Sequence, residues 1–409
     1  MRNSSVRRGR LSRNYSTVAA IGLLLAAGLV RADAGDTLNF IAGETVRYED
    51  NLFRLPSDID PLLVTGKPTR SDQLTVTYVG IQFDKSYSQQ AFHADVTQSR
   101  YRYKTYSYLN FDPLAYAASW KWHLTGRLSG NASIDQKTAQ ADFSDHHNIR
   151  GNKTTSENSR VDADWWLHGS WHLTGGVWQS KYRNSTVNVA EGDLDQRSGN
   201  AGVRYVAESG SSLTLLSRTS RGDYPNQPLN AAAMIDTGYK QADIEVQAAW
   251  LISGQSSLNG RLTHLERNYD HFAERDYGGT AGRFDYTLTP SGKLQFKLSA
   301  VRNIASYVLL TSSYYVDDSL AFAPVWQISS KTALRLNLQR SQRDYLGGAP
   351  VPLPVTRHDQ SRSALLSLDW APMRALSLSA SLQNSSRNSN EALQDYKDNT
   401  ASITAQLSF

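Results

Sequence analysis

The alternation of apolar and polar positions is cleanest over the last residues of the chain. From Ala401 it runs without a slip, with Ala401, Ile403, Ala405, Leu407 and Phe409 on one side and Ser402, Thr404, Gln406 and Ser408 on the other. Period-two alternation specifies an extended strand with one apolar and one polar face. A final aromatic ring suits a strand that closes a barrel and seats its last side chain at a membrane interface. The segment is therefore expected to be the barrel-closing strand and assembly signal.

The same rhythm recurs along the chain. Leu38 and Phe40 begin a first strand within 36–48. Tyr116, Ala118, Trp120 and Trp122 oppose Ser119 and Lys121, and Leu128, Gly130, Ala132 and Ile134 oppose Arg127, Asn131, Ser133 and Asp135. Val161, Ala163, Trp165 and Leu167 oppose Asp162, Asp164 and His168, while Trp178 and Tyr182 oppose Gln179, Lys181 and Arg183. Similar runs continue through Ala242–Trp250, Phe284–Leu288, Leu294–Leu298, Leu334–Leu338, Leu366–Trp370 and Leu376–Leu382. Two stretches are less regular: 314–328, and Val79 to Phe83, where the phase slips and a bulge is expected.

Together the runs predict about 18 strands of roughly 9–13 residues (16 as the alternative), an even number as in single-chain bacterial barrels. Short turns fall near 86, 124, 173, 209, 253, 291, 330 and 373, with long polar connections between them. That asymmetry is the one expected of short periplasmic turns and longer outer loops, with both chain ends in the periplasm. The predicted fold class is all-β: a single transmembrane antiparallel up-and-down β-barrel over residues 35–409. A soluble sandwich or propeller also uses many short strands. The turn asymmetry, the aromatic residues at strand ends and the terminal Phe409 favour the barrel.

Residues 1–34 read as a cleaved signal peptide: Arg2, Arg7, Arg8, Arg10 and Arg13, then an apolar run over 17–30, then Ala32-Asp33-Ala34. The run falls short of the ~20 residues a spanning helix needs. Six of the 43 Lys and Arg and one of the 38 Asp and Glu lie in this segment, which leaves 37 of each sign. The basic balance of the whole chain is thus no argument for a nucleic-acid partner. The absence of cysteine together with a signal peptide fits an extracytoplasmic destination, here the bacterial outer membrane.

A barrel of this size is wide enough for an aqueous lumen. The candidate lumen-lining residues are Lys121, Arg127, Lys181, Arg183, Arg204, Arg218, Arg261, Arg283, Lys297 and Arg335, with Asp162, Asp164, Trp166, Asp243 and Glu245. Asp135, Asp285 and Asp369 belong to the same polar faces. They form either a conduit favouring an anionic glycan or a set of mutually neutralised ion pairs that hydrates the wall. Trp120, Trp165, Trp178, Trp250 and Trp370, on apolar faces, are expected in interfacial girdles, and Trp166, on a polar face, is the candidate for sugar stacking. His146-His147 beside Asp142 and Asp145 has no established metal-ligand spacing, and Glu49, Asp50 and Asn51 lack that of a calcium loop. His123, His168 and His264 sit in strands with no serine singled out for a lipase or deacylase, so no catalytic residue, metal or cofactor is expected.

At Tyr48-Glu49-Asp50-Asn51-Leu52-Phe53-Arg54-Leu55-Pro56 the chain resembles the EpsL family of exosortase-associated outer-membrane proteins, within a wider group of β-barrel porins. The Trp-x-Leu/His-x-Gly-type turns and the aromatic C-terminus extend the resemblance over the mature chain. It implies a role in exopolysaccharide biosynthesis and export, and no enzymatic activity. The expected partners are the exopolysaccharide, outer-membrane lipid, periplasmic polysaccharide export proteins and the outer-membrane assembly machinery, around a monomer. A general diffusion porin and a non-conducting assembly scaffold are the alternatives.

Overall fold

The computed structural model describes residues 37–144, 149–186, 192–307, 311–351 and 355–409. The signal peptide expected over 1–34 lies outside them, as do Asp145, His146 and His147. In chain order the strands are β1 (Leu38–Glu49), β2 (Asp72–Tyr87), β3 (Gln90–Tyr103), β4 (Leu114–His123), β5 (Leu128–Gln140) and β6 (Lys153–His168). Then come β7 (Trp171–Asn184), β8 (Leu194–Val206), β9 (Ser212–Asp223), β10 (Gly238–Ser253), β11 (Ser256–Tyr269) and β12 (Tyr277–Ser291). The last six are β13 (Leu294–Ser306), β14 (Tyr314–Ser329), β15 (Thr332–Leu346), β16 (His358–Met373), β17 (Leu376–Ser389) and β18 (Tyr396–Ser408). Each strand pairs antiparallel with its chain neighbours, and β1 also pairs with β18, so the sheet closes into an 18-stranded barrel with no free edge. The shortest strand has 10 residues, enough for a tilted strand to cross a bilayer.

Connections alternate in length as the sequence predicts. The short ones, 88–89, 124–127, 169–170, 207–211, 254–255, 292–293, 330–331 and 374–375, share one end of the barrel. The long ones gather at the other end, from 50–71, which holds a one-turn helix α1 (Pro61–Thr65), to 390–395. β1 begins and β18 finishes at the short-turn end.

Side-chain exposure tells the two faces of the wall apart. Val177, Ile244, Leu382 and Ile403 are each more than 60 % exposed although apolar, and every one points outward. Such a belt has no place in water and is the surface a barrel presents to hydrocarbon. Trp120, Trp165, Trp250, Trp326 and Trp370 sit on this outer face, all at the short-turn ends of their strands, where indole rings suit the headgroup level.

The closing strand behaves as its alternation predicts. Ile403 and Leu407 point outward, while Ser402, Thr404 and Gln406 point inward opposite Arg47, Thr45 and Gly43. Paired backbone bonds join Phe40 and Phe409 (N–O 2.6 and 2.9 Å), and their rings stack at 6.1 Å. Gly43 leaves room on the inner face for Tyr78, whose hydroxyl crosses β1 to donate to Gln406 Oε1 at 2.8 Å.

β2 corrects one expectation. No register shift interrupts its ladders with β1 or β3, so the bulge expected at 79–83 is absent. Val79, Ile81 and Phe83 point outward and are exposed; Leu74, Val76 and Tyr78 point inward. The apolar inward residues are accounted for by what fills the barrel there. Leu74 is buried in a cluster with Leu52, Phe53, Leu55, Tyr103, Tyr106, Leu109 and Phe143, against which Val76 packs. In β14 (Tyr314–Ser329), the second irregular stretch, the inward–outward phase holds, and Pro324, which has no N–H to give, falls in a gap of the ladder to β15.

Candidate functional site: the inner wall and the long-loop mouth

The first long loop (50–71) folds against the inside of the wall. The Asn51 side chain accepts from Leu55 N (2.9 Å) and donates to Leu55 O (2.8 Å) and Lys397 O (2.9 Å), tying the loop to itself and to β18. Arg54 reaches Glu49 at 2.6 Å and Asp398 at 3.0 Å. Burial works against the Arg54 charge, but the carboxylates of Glu49 and Asp398 outweigh it and raise its pKa above the ordinary arginine value. Arg54 also holds φ at +56°, a left-handed conformation that a non-glycine residue adopts only when its surroundings hold it there. Phe53 is fully buried, its ring edge-on to Tyr106 at 4.7 Å and to Phe143 at 4.8 Å. Asp50 accepts from Asn399 N and Nδ2. Glu49, Asp50 and Asn51 thus each have a separate structural partner and do not converge on one point. Among the described residues no group of three or more His, Asp or Glu is placed to hold a metal.

Other loops meet over the same opening. Arg387, inward on β17, donates to Ser144 O of the loop 141–152, which connects β5 to β6. Arg275 is buried and donates to Ser312 O (2.7 Å) and Ala233 O (2.9 Å), joining three loops. Asp236 accepts from the backbone N–H of Thr237, Gly238, His271 and Phe272 and from the His271 ring. Burial opposes its ionisation, yet these donors prevail and hold its pKa below the ordinary carboxylate range.

Below the mouth the inner wall is polar. The register turns Lys121, Arg204, Arg218, Arg261, Arg283, Lys297, Arg335, Asp162, Asp164, Trp166, Asp243 and Glu245 inward. Arg127 lies in the 124–127 turn with its guanidinium 5.7 Å from the Trp166 ring, and the Trp166 indole donates to Gly169 O at 2.7 Å.

Lys181 and Arg183 do not belong to this set. Their strand keeps the phase of Trp171, Leu173 and Val177, all exposed on the outer face, so Lys181 and Arg183 point outward, to Glu157 and Asp195. The same phase turns Trp178 inward instead of into the outer girdle. Its ring lies under two guanidinium groups, Arg160 at 5.2 Å and Arg218 at 5.3 Å. Cation–π contact accounts for an indole on a wet face. The Gly175-Gly176 pair hides this phase in the sequence, where only Leu173 and Val177 report it.

Most inward charges pair with a neighbour. Arg160 makes a bidentate pair with Asp162 (2.6 and 2.6 Å), and Asp164 takes both Arg204 and His172. Arg218 bridges Asp243 (3.3 Å) and Glu245 (3.1 Å); Arg283 and Lys297 share Asp285; Arg335 holds Asp369 at 2.7 Å. Arg160, Arg343 with its partner Asp317, and the buried Arg357–Asp359 pair at the mouth are additions that alternation within one strand did not single out. Arg261 stands apart. It is exposed to the lumen, lies directly opposite Arg283, and has no carboxylate within ion-pair distance among the described residues.

No family model matches the sequence, and no curated protein matches it. Solved structures do. OpdK of Pseudomonas aeruginosa, solved with vanillate, matches 91 % of this chain and 99 % of its own at 10 % identity and a TM-score of 0.51. A BenF-like porin of Pseudomonas fluorescens Pf-5 matches at 11 % identity over 91 % and 98 %, with a TM-score of 0.51. The fold is that of a porin. OccK2 (OpdF) of P. aeruginosa, solved with glucuronate, has the same porin fold at 11 % identity, 91 % and 98 % coverage and a TM-score of 0.51.

Proposed function

We propose that the protein is a diffusion porin of a bacterial outer membrane that admits small organic anions. The observation that carries this is Arg261 beside Arg283 on the inner wall, where two guanidinium groups face the lumen and one lacks a carboxylate. Arg283 is already held by Asp285, which leaves Arg261 as the guanidinium open to a carboxylate in the lumen, and a guanidinium binds a carboxylate in bidentate fashion. The porin fold supports the reading, and the vanillate and glucuronate of two neighbours are both carboxylates. Trp178, flanked by Arg160 and Arg218, adds a ring surface suited to an aromatic or sugar acid. In this reading the short turns and both strand termini face the periplasm, the long loops face outward, one copy forms the pore, and no reaction is catalysed.

Export of an exopolysaccharide ranks second. The segment that resembles EpsL, Tyr48–Pro56, seats the first loop on the wall through Asn51 and Arg54, which is an architectural role. Its link to periplasmic export partners rests on that resemblance alone.

Planar-bilayer recording under a salt gradient tests the leading reading. The expected result is an anion-preferring reversal potential that shifts toward neutrality in Arg261→Gln, with glucuronate entering liposomes faster than an uncharged sugar of similar size. A cation-preferring channel, or no current, would overturn it.

A further inference from the structure

The outer face carries an arrangement that the pore does not use. Reading across the ladders from β7 to β11, Gln179 lies opposite Arg197, Arg197 opposite Arg221, Arg221 opposite Lys240, and Lys240 opposite Asn268. All point outward in the long-loop half of the barrel. Three cations in direct succession repel one another, and like charges opposed across strands destabilise a sheet. Arg221 is relieved by Asp223 and a bidentate contact with Asp270 (3.0 and 2.7 Å). Arg197 and Lys240 have no carboxylate within ion-pair distance among the described residues.

Directly below this row the hydrocarbon-facing wall is hollowed into a groove of about 910 Å³. Small outward residues, Gly199, Thr219 and Ala242, form its floor, between Val161 and Val177 on one flank and the row of cations above. A Cβ on Gly199 would come no nearer than 3.9 Å to any atom, so the hollow is open. An apolar trough topped by two unneutralised cations, Arg197 and Lys240, matches one kind of occupant: a lipid with a net-anionic phosphate headgroup and acyl chains below.

We propose that this groove on β7–β10 holds a net-anionic phospholipid of the leaflet at the long-loop end, one whose headgroup phosphate is not neutralised by a cation of its own. Its phosphate sits among Arg197, Arg221 and Lys240, and an acyl chain lies over Gly199, Thr219 and Ala242. The proposal rests on the outer-membrane reading but not on anion passage. The charge complementarity is directional, since the outer face at the short-turn end presents tryptophans. A second outward pair, Arg340 opposite Arg362, lies on the far side of the barrel, again at the long-loop half.

Native mass spectrometry of the detergent-purified full chain, titrated with phosphatidylglycerol and with phosphatidylcholine of the same acyl length, tests it. Phosphatidylglycerol is expected to be retained about thirtyfold more tightly, the order that two surface cations supply. The double variant Arg197→Gln/Lys240→Gln should bring the two lipids to parity. Lys85→Gln, an outward cation at the short-turn end, should change nothing, and Lys240→Gln alone should give a partial loss if the double variant folds poorly. Equal retention of both lipids by the wild type, equal loss in Lys85→Gln, or complete displacement of the lipid by millimolar inorganic phosphate would each overturn the proposal. Reversal potentials measured on the same variants should stay unchanged, which keeps this site separate from the pore.

Discussion

The interior of the barrel has two regions that obey different rules. Beneath the first loop, inward positions of β2 and β3 carry Leu74, Val76 and Tyr103, and Phe53 of the loop is fully buried against them. On β15 and β16, lower in the barrel, the inward positions carry Arg335, Ser367 and Asp369, half-open to the lumen. The inward face is apolar where protein fills the barrel and polar where solvent does. Alternation therefore reports what each face touches, and a change of neighbour inside the barrel mimics a change of register in the sequence.

Breaking the filled region should have the largest effect. Arg54→Ala would leave Glu49 only its longer contact with Arg47 (3.7 Å) and take from Asp398, which is 1 % exposed, the cation that faces it. Removing one partner of a buried pair costs about 3–5 kcal/mol. The expected outcome is release of the first loop, read as new protease cleavage within 57–68 and a higher single-channel conductance, with the barrel itself still folded.

An intermediate effect is expected from acid. Asp236 has its pKa depressed in the folded loop, so its contribution is complete above the ordinary carboxylate range and is lost as pH falls through the lower, folded value. Hydrogen-exchange protection of the His271 and Phe272 amides, taken relative to the intrinsic rate at each pH, should stay high at pH 5 and fall toward pH 3, and Asp236→Asn should show the low protection already at neutral pH. Protection independent of pH across this window would remove Asp236 as the anchor.

The smallest effect belongs to the wet wall. Arg335 and Asp369 are both substantially exposed, so Asp369→Asn should cost no more than about 1 kcal/mol. Urea unfolding of this variant beside Arg54→Ala measures the contrast directly. Equal losses would mean that the two regions do not differ as described.

Much of this architecture was legible in the chain. The closing strand, the eighteen spans, the short turns and the long loops all follow from period-two alternation, because lipid on one side and water on the other leave little freedom. The inward placement of Arg218, Asp243, Glu245 and Arg335 follows for the same reason. What was hidden depended on contacts far apart in sequence. Trp178 turns inward because Arg160 and Arg218 cover it, and Lys181 and Arg183 turn outward with it. Leu74 and Val76 face inward because a loop returns to meet them. The role of 48–56 needed Asp398 and Lys397, more than three hundred residues away, to become visible.

The first loop is held in part by groups on β18, through Asn51, Arg54 and Asp50. These polar anchors require β18 to lie against β1, while the apolar side of the loop rests on β2 and β3 through Leu52, Phe53 and Leu55. The seam between β1 and β18 is thus also the place where the loop's polar end is fastened, so a change that loosens the closure loosens the entrance with it.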